Sequence, residues 1–342
     1  MRAVVVREFG RLESLAIEDF PAPSAGAGEV RIDVQATALN FVDLLVIGGT
    51  YQFLPPLPFV PGKLPVGIVS ALGTGVSNLQ IGDRVLTLAE QGGYAEQAVV
   101  ASSACFKLPD SLSFVDAAAM ALAYDTAWFA LCERARARKG DAVLVLGATG
   151  AVGLAAVQLG KAYGLRVLAG VHDLTRAETV LAAGADAIVD LSDADLRESL
   201  REQVLTLTNG QGANIVLDPL GGDFFDAAIR CVAWRGRLVV IGFAAGRIPT
   251  LKANYLLLKN IEVSGLQVSD YRKRAPEEMA ECLAEIFRLY VEGKLQPPAA
   301  TVVSFEGVSG ALQQIRDRQA KGRLVLATGT GAQAPLRNQQ PR

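Results

Sequence analysis

The sequence predicts an α/β protein in which a doubly wound parallel sheet is joined to a second, β-rich domain. Three observations predict it. Val143 to Gly153 reads V-L-V-L-G-A-T-G-A-V-G, a short buried strand and a glycine turn, and the helical apolar run Leu154 to Tyr163 follows. Strand and helix patterns alternate from there to about residue 263, as successive βα units do. Before Ser113, short alternating or apolar runs lie between Pro and Gly clusters, which is a β-rich pattern.

Composition supports two domains and a small-molecule partner. A chain of 342 residues exceeds a usual single core, and 51% hydrophobic residues suit a large buried sheet. The net charge of −2, with acids and bases interspersed, gives neither a nucleic-acid footprint nor a basic membrane face. The apolar window Ala142 to Leu159 holds a glycine turn, so no membrane partner is expected from it. Cys105, Cys132, Cys231 and Cys282 lie far apart and form no C-x-x-C pair, and no secretory pattern opens the sequence. Reduced thiols in a cytoplasmic enzyme are expected.

In the first part, Met1 to Arg7, Val30 to Ala36 and Pro65 to Leu72 read as strands. From Ser113 the pattern turns helical, over Asp116 to Met120 and Thr126 to Arg138, and Lys139-Gly140-Asp141 leads into the central strand. Arg166 to Val171, Ala187 to Val189, Ile215 to Leu217, Arg237 to Ile241 and Ile261 to Gly265 are further strands. Helices over Arg176 to Ala183 and Phe224 to Cys231 separate some of them. The chain is then expected to return to the first domain through a helix over Pro276 to Glu292 and strands around Thr301 to Phe305 and Arg323 to Leu326. The expected domains are 1–122 with 264–328, and 123–263 between them. Residues 329–342, poor in apolar side chains and rich in Gln, Pro and Gly, are expected to be a disordered tail.

The strand-turn-helix is a candidate dinucleotide site. Without side chains, a pyrophosphate can approach the backbone at a helix N-terminus, where N–H groups carry partial positive charge. Thr149, Gly150, Ala151, Val152 and Gly153 are the expected contacts. The spacing Gly147, Gly150, Gly153 departs from G-x-G-x-x-G, because Ala148 stands in the turn. Glycines that merely close a tight turn are the alternative. The strand Arg166 to Val171, which ends where an adenosine ribose would sit, favours the cofactor.

The order of N-F-V-D (Asn40 to Asp43), P-F-V-P-G (Pro58 to Gly62), G-D-R-V (Gly82 to Val85), G-G-Y-A-E (Gly92 to Glu96) and G-A-T-G-A-V-G resembles the medium-chain dehydrogenase/reductase superfamily. D-P-L-G-G (Asp218 to Gly222), I-G-F-A-A-G (Ile241 to Gly246) and L-L-L-K-N (Leu256 to Asn260) are similar to its quinone oxidoreductase branch. The resemblance runs to about Leu326 and implies a Rossmann sheet with a GroES-like catalytic domain. Zinc alcohol dehydrogenases of this superfamily place a Cys three residues before the Asp matching Asp43, and His-Glu after the Gly matching Gly62. This chain has Asn40, Lys63 and Leu64 there, and its single histidine is His172. An amide and an ammonium cannot replace thiolate and imidazole, so no metal is expected.

Oxidising an unactivated alcohol without a Lewis acid is hard, whereas a quinone or enone is already polarised and needs alignment and a hydrogen-bond donor. The resemblance implies Asn40 and Tyr51 as the residues that orient the acceptor, with Asn40 also touching the cofactor, and with a turn or capping role for Asn40 and packing for Tyr51 as alternatives. It implies Arg176 at a position where NADPH-binding relatives carry Lys, while Asp173, about twenty residues past Gly153, is by its spacing a competing ribose contact. Thr126, Gly242, Phe243 and Leu266 match residues lining the nicotinamide, and Arg318 matches a further basic contact. Packing for Thr126, Gly242, Phe243 and above all Leu266, and a solvated surface charge for Arg176 and Arg318, are the alternatives. No chemistry is assigned to Asp218-Pro219. The expected protein is a zinc-independent, NADPH-dependent reductase of a quinone or conjugated carbonyl, acting as a homodimer through the edge strand Ile261 to Gly265. An enal or enone reductase, and an NADPH-binding regulatory or structural protein with weak catalysis, are the rival readings.

Overall fold

The computed structural model describes residues 1–328, and the tail expected at 329–342 lies outside the described residues. The chain divides into two compact units, one of Met1–Ala121 with Pro297 onward and one of Leu122–Gln296.

The first unit begins with the antiparallel pair β1 (Arg2–Val5) and β2 (Ala16–Asp19). Five strands follow: β3 (Glu29–Ala38), β4 (Val66–Leu72), β5 (Arg84–Thr87), β6 (Gln97–Ala101) and β7 (Cys105–Lys107). The long strand β3 pairs antiparallel with β4 along one edge and with β6 along the other. Val30, Ile32 and Val34 of β3 alternate inward and meet Val69, Val85, Ala98 and Val100 in a buried cluster. Fully burying each of the valine and isoleucine side chains is worth about 1.5–3 kcal/mol.

The second unit holds β8 (Ala142–Val145), β9 (Arg166–Val171), β10 (Ala187–Asp190), β11 (Ala213–Asp218), β12 (Val232–Val240) and β13 (Glu262–Gly265). They form one sheet in the order β10-β9-β8-β11-β12-β13, and every pair is parallel. The order reverses at β8, the switch point at which doubly wound sheets bind ligands. All four residues of β8 are buried, as a strand covered on both faces requires.

The expected return to the first unit at residue 264 is corrected: the chain stays in the second unit to Gln296. The reason is a set of buried polar ties onto the helix Ala123–Trp128. Arg272, in the helix Val268–Arg274, pairs at 2.7 Å with Asp125, and the two side chains are 3% and 1% exposed. Tyr271 packs on Phe129, with ring centroids 4.3 Å apart. Gln296 is held by Gln158 through two hydrogen bonds, and its carbonyl also accepts from the Tyr124 hydroxyl. The helix Pro276–Val291 therefore buries Met279, Leu283 and Ile286 within this unit. Only then do β14 (Ala300–Val303) and β15 (Arg323–Ala327) complete the first unit's sheet, in the order β14-β15-β3-β4-β5-β7 with β6 also on β3.

Strand β11 ends in a buried carboxyl. Asp218 Oδ1 accepts from the amides of Leu220 (2.9 Å) and Gly221 (2.8 Å), which shapes the turn. Its Oδ2 is buried and has no hydrogen-bond partner. Burial pushes the carboxyl up to about 6, against the pull of the two amides. In the unfolded chain the group titrates near pH 4, so between about pH 4 and 6 the folded state holds the extra proton. Stability from this group is therefore lost as pH rises through that window, by about 3 kcal/mol. Asp218→Asn keeps an oxygen for Leu220 and Gly221 and removes the titration. Urea midpoints at about pH 4.5 and 7.5 should show the variant gaining on the wild type as pH rises; parallel pH curves would contradict this origin.

Candidate active site

The glycine turn joins β8 to the helix Ala151–Ala162. Gly147 has φ +61°, and a side chain there would press on Leu220 at 3.1 Å. A Cβ on Gly153 would lie 2.3 Å from the Gly147 carbonyl oxygen and 2.7 Å from the Ala148 Cα. The helix can rest on the turn only because Gly153 carries hydrogen, while Ala148 is fully buried and its amide donates to the Gly170 carbonyl at 3.0 Å. Gly150 precedes the first turn of the helix, and the amides of Ala151, Val152 and Gly153 have no carbonyl four residues back within the helix. That cluster of N–H groups, at the carboxyl end of the sheet, fits a pyrophosphate.

Arg176 reaches this turn, its guanidinium donating to the Thr149 carbonyl at 3.2 Å. Asp173 faces its own backbone instead. Its Oδ1 accepts from the Thr175 amide (3.1 Å) and hydroxyl (2.6 Å), and these bonds, with the charges of Arg176 and His172, hold its carboxyl below the usual range. A ring nitrogen of His172 lies 3.1 Å from the Leu191 carbonyl oxygen. The second unit thus brings Thr149, Gly150, Ala151, Val152, Gly153 and Arg176 together, with Asp173 beside them.

Gly242 and Phe243 follow β12, and the Gly242 amide points at the Asp218 carbonyl at 3.4 Å. Gly221, at φ +68°, leaves room for Phe243, since a Cβ there would stand 2.9 Å from the ring. Leu266 follows β13, half-buried, with its amide on the Val240 carbonyl at 2.9 Å. Thr126 is buried in the helix Ala123–Trp128, and its hydroxyl donates to the Leu122 carbonyl.

Asn40, Tyr51 and Arg318 belong to the first unit. Asn40 opens the helix Phe41–Ile47, and its buried side chain is held from both ends. Its Nδ2 donates to the Ala38 carbonyl at 3.0 Å, and its Oδ1 accepts from Arg323 at 2.8 Å. Asp43 Oδ2 accepts from the Asn40 amide (2.8 Å) and the Tyr94 hydroxyl (2.7 Å). Burial pushes both the Asp43 carboxyl and the Tyr94 hydroxyl above their ordinary ranges, while the Tyr94 and Asn40 bonds and the Lys63 charge pull Asp43 back. Tyr51 is half-buried, edge-on to Phe53, and the Lys63 ammonium lies 5.2 Å from its ring centre. Lys63 pairs with Glu90. Arg318 is exposed, in the left-handed region at φ +58°, at the turn after the helix Val308–Arg316.

These residues do not fit a zinc ion. The two positions aligned with zinc ligands hold an amide whose oxygen serves a guanidinium and an ammonium bound to a carboxylate. Among the described residues, no group of three or more His, Cys, Asp or Glu is placed to hold a metal. All four cysteines are free thiols, and burial pushes Cys105 and Cys231 up to about 12, so they are poor nucleophiles. A cavity of about 330 Å³, lined by Arg201, Gly212, Arg230, Val232 and Trp234 among others, opens at the amino ends of β11 and β12. The glycine turn lies at the opposite, carboxyl end of the parallel strands, so this cavity is not the cofactor site.

Sequence reasoning passed over Arg323, Tyr94 and Glu90 and the buried pairing of Lys63 with Glu90. The available signal was Lys63 itself, a cation between Gly62 and Leu64 in an otherwise apolar run.

Comparison with known proteins agrees with this architecture. The alcohol dehydrogenase GroES-like domain family matches residues 26–110, and the family described as zinc-binding dehydrogenase matches residues 151–287. A quinone oxidoreductase-like protein 2 homolog of Nematostella vectensis is 38% identical, over 96% of this chain and 89% of that protein. The Escherichia coli quinone oxidoreductase solved with NADPH is 26% identical, with a TM-score of 0.88 over 96% of this chain and 100% of that one. A structure titled NAD-dependent alcohol dehydrogenase is 31% identical, with a TM-score of 0.86 over 96% and 100%. Matched over nearly its whole length by the 38% identical relative, the chain belongs to the quinone oxidoreductase branch of the medium-chain dehydrogenase/reductase superfamily.

Proposed function

We propose that this protein is an NADPH-dependent oxidoreductase that transfers hydride to a quinone or conjugated carbonyl without zinc. The observation that carries the cofactor choice is the Arg176 guanidinium on the Thr149 carbonyl of the glycine turn, beside an Asp173 already engaged with Thr175. A 2′-phosphate there gains a charge-assisted partner, whereas the Asp173 carboxylate that a 2′-hydroxyl would need has one oxygen committed to Thr175. The Escherichia coli relative titled as an NADPH complex supports the same reading, against the relative titled NAD-dependent.

NADPH, when bound, supplies the hydride. The amides of Ala151, Val152 and Gly153 hold the pyrophosphate and Arg176 the 2′-phosphate. Gly242, Phe243, Leu266 and Thr126 line the nicotinamide, and Arg318 adds a basic contact. Asn40, fixed by Arg323, and Tyr51 orient the acceptor. Hydride transfer leaves negative charge on the acceptor oxygen, so what the protein must add is hydrogen-bond donors and alignment. Quinones and enones both meet that demand, and a panel of both with NADPH oxidation as the readout separates them. The four unpaired thiols suit a reducing, cytoplasmic location.

Arg176→Ala should weaken NADPH by about 1–3 kcal/mol and leave NADH nearly unchanged. Cofactor fluorescence titrations check this. An equal loss for both cofactors, or a wild-type preference for NADH, contradicts the assignment.

We propose further that the protein is a homodimer. Strand β13 is an edge of the parallel sheet, and Ile248, Leu257 and Leu258 just before it are 70%, 78% and 74% exposed. An open edge beside large apolar side chains is a self-pairing surface. Size exclusion with light scattering should give a dimer at micromolar concentration and a monomer for Leu257→Asp/Leu258→Asp; a monomeric wild type contradicts it.

A further inference from the structure

A buried ammonium is costly unless it is paired, and one retained beside a substrate-orienting residue is a functional candidate on physical grounds. The Lys63 side chain is 5% exposed, and its carboxylate partner Glu90 is 31% exposed. The ammonium lies 5.2 Å from the centre of the Tyr51 ring. Its backbone is firmly placed. Gly62, at φ +94°, is pressed so closely on Tyr94 that a Cβ there would lie 2.4 Å from the ring, and its carbonyl accepts from the Gly93 amide at 2.9 Å. On the other side, the Leu64 amide donates to the Ala89 carbonyl at 2.8 Å. Tyr94 in turn bonds Asp43, which bonds the Asn40 backbone. Lys63 and Asn40 are thus both positioned through buried Tyr94, with the Tyr51 ring beside the ammonium, the rigidity that a reacting group needs.

We propose that Lys63 is a catalytic residue, whose ammonium donates first a hydrogen bond and then a proton to the acceptor oxygen. This inference rests on the reading of Asn40 and Tyr51 as the acceptor-binding residues. The balance is simple. The acceptor gains two electrons with the hydride that NADPH supplies, and negative charge collects on its oxygen. The Lys63 N–H bond breaks as the O–H bond forms. The neutral amine then regains a proton from water through Glu90, whose carboxylate is partly open to solvent. Arg323 cannot take this part, because its guanidinium is engaged with Asn40 and the Ala119 carbonyl and does not release a proton.

The test uses stopped-flow single turnovers with saturating NADPH and the best acceptor of the panel. A second readout is the absorbance of 4-nitrophenol, a phenol whose ionised form mimics the product oxyanion, with NADP+ present. Lys63→Met should slow hydride transfer by about 100-fold, the effect of losing one preorganised donor. It should also abolish binding of the phenolate form and leave NADPH affinity unchanged. Lys63→Arg should restore phenolate binding. Glu90→Gln keeps an acceptor for the ammonium, so it should retain the first turnover and slow the later ones. A Lys63→Met protein that keeps its single-turnover rate and its phenolate overturns the proposal, as does a Glu90→Gln protein with undiminished steady-state turnover. A wild type that fails to bind NADPH or to reduce any acceptor overturns the functional reading beneath it instead, so the two failures are distinguishable.

Discussion

The second unit depends on one close approach, that of the helix beginning at Ala151 to the turn that ends β8. The Gly147 carbonyl oxygen stands where any Cβ on Gly153 would have to be, so a methyl group at that position would lift the helix from the sheet. Lifting it would scatter the first-turn amides that make the end of the helix an anion site. The same turn fixes Thr149, and Thr149 holds Arg176. A steric condition at one glycine thereby becomes an electrostatic condition at the far end of a dinucleotide.

The first unit is governed by a different constraint, the burial of charge. Arg323, Asn40, Asp43 and Tyr94 form one buried hydrogen-bonded set, and Lys63 with Glu90 forms a salt bridge whose positive charge acts on Asp43. Removing one partner from such a set leaves another group desolvated and unpaired, which costs stability. This explains why the positions aligned with zinc ligands are unsuited to a metal. Their donors serve cations already present.

Much of the fold was legible in the sequence, because most of the parallel strands are short runs with an apolar centre and their polar residues at or near the ends, as in Arg166–Val171 and Ala187–Asp190. Arg166 to Val171 was read with the boundaries the structure has, and the glycines from Gly147 to Gly153 announced the shape of the turn that joins β8 to its helix. The helices were read less well. The amphipathic pattern of Pro276–Val291 says which face is buried but not against what, and the tie that settles it, Arg272 on Asp125, joins residues 147 apart. That is why the return to the first unit was placed at residue 264. Lys63 was legible only as something a zinc site lacks, since a single cation in a sequence does not declare whether it is buried. Asn40 carried both readings, a helix-opening residue and an acceptor contact, and its geometry is compatible with both, since Arg323 and Ala38 hold the amide that the acceptor would meet.

The central claim is metal-free hydride transfer from NADPH to a polarised acceptor. Turnover of a quinone and enone panel after exhaustive chelation, with elemental analysis of the same sample, tests it most directly. Undiminished NADPH oxidation by protein holding far less than one zinc per chain is the predicted result. Activity that vanishes on chelation and returns with zinc, or no activity with any acceptor of the panel, would contradict it.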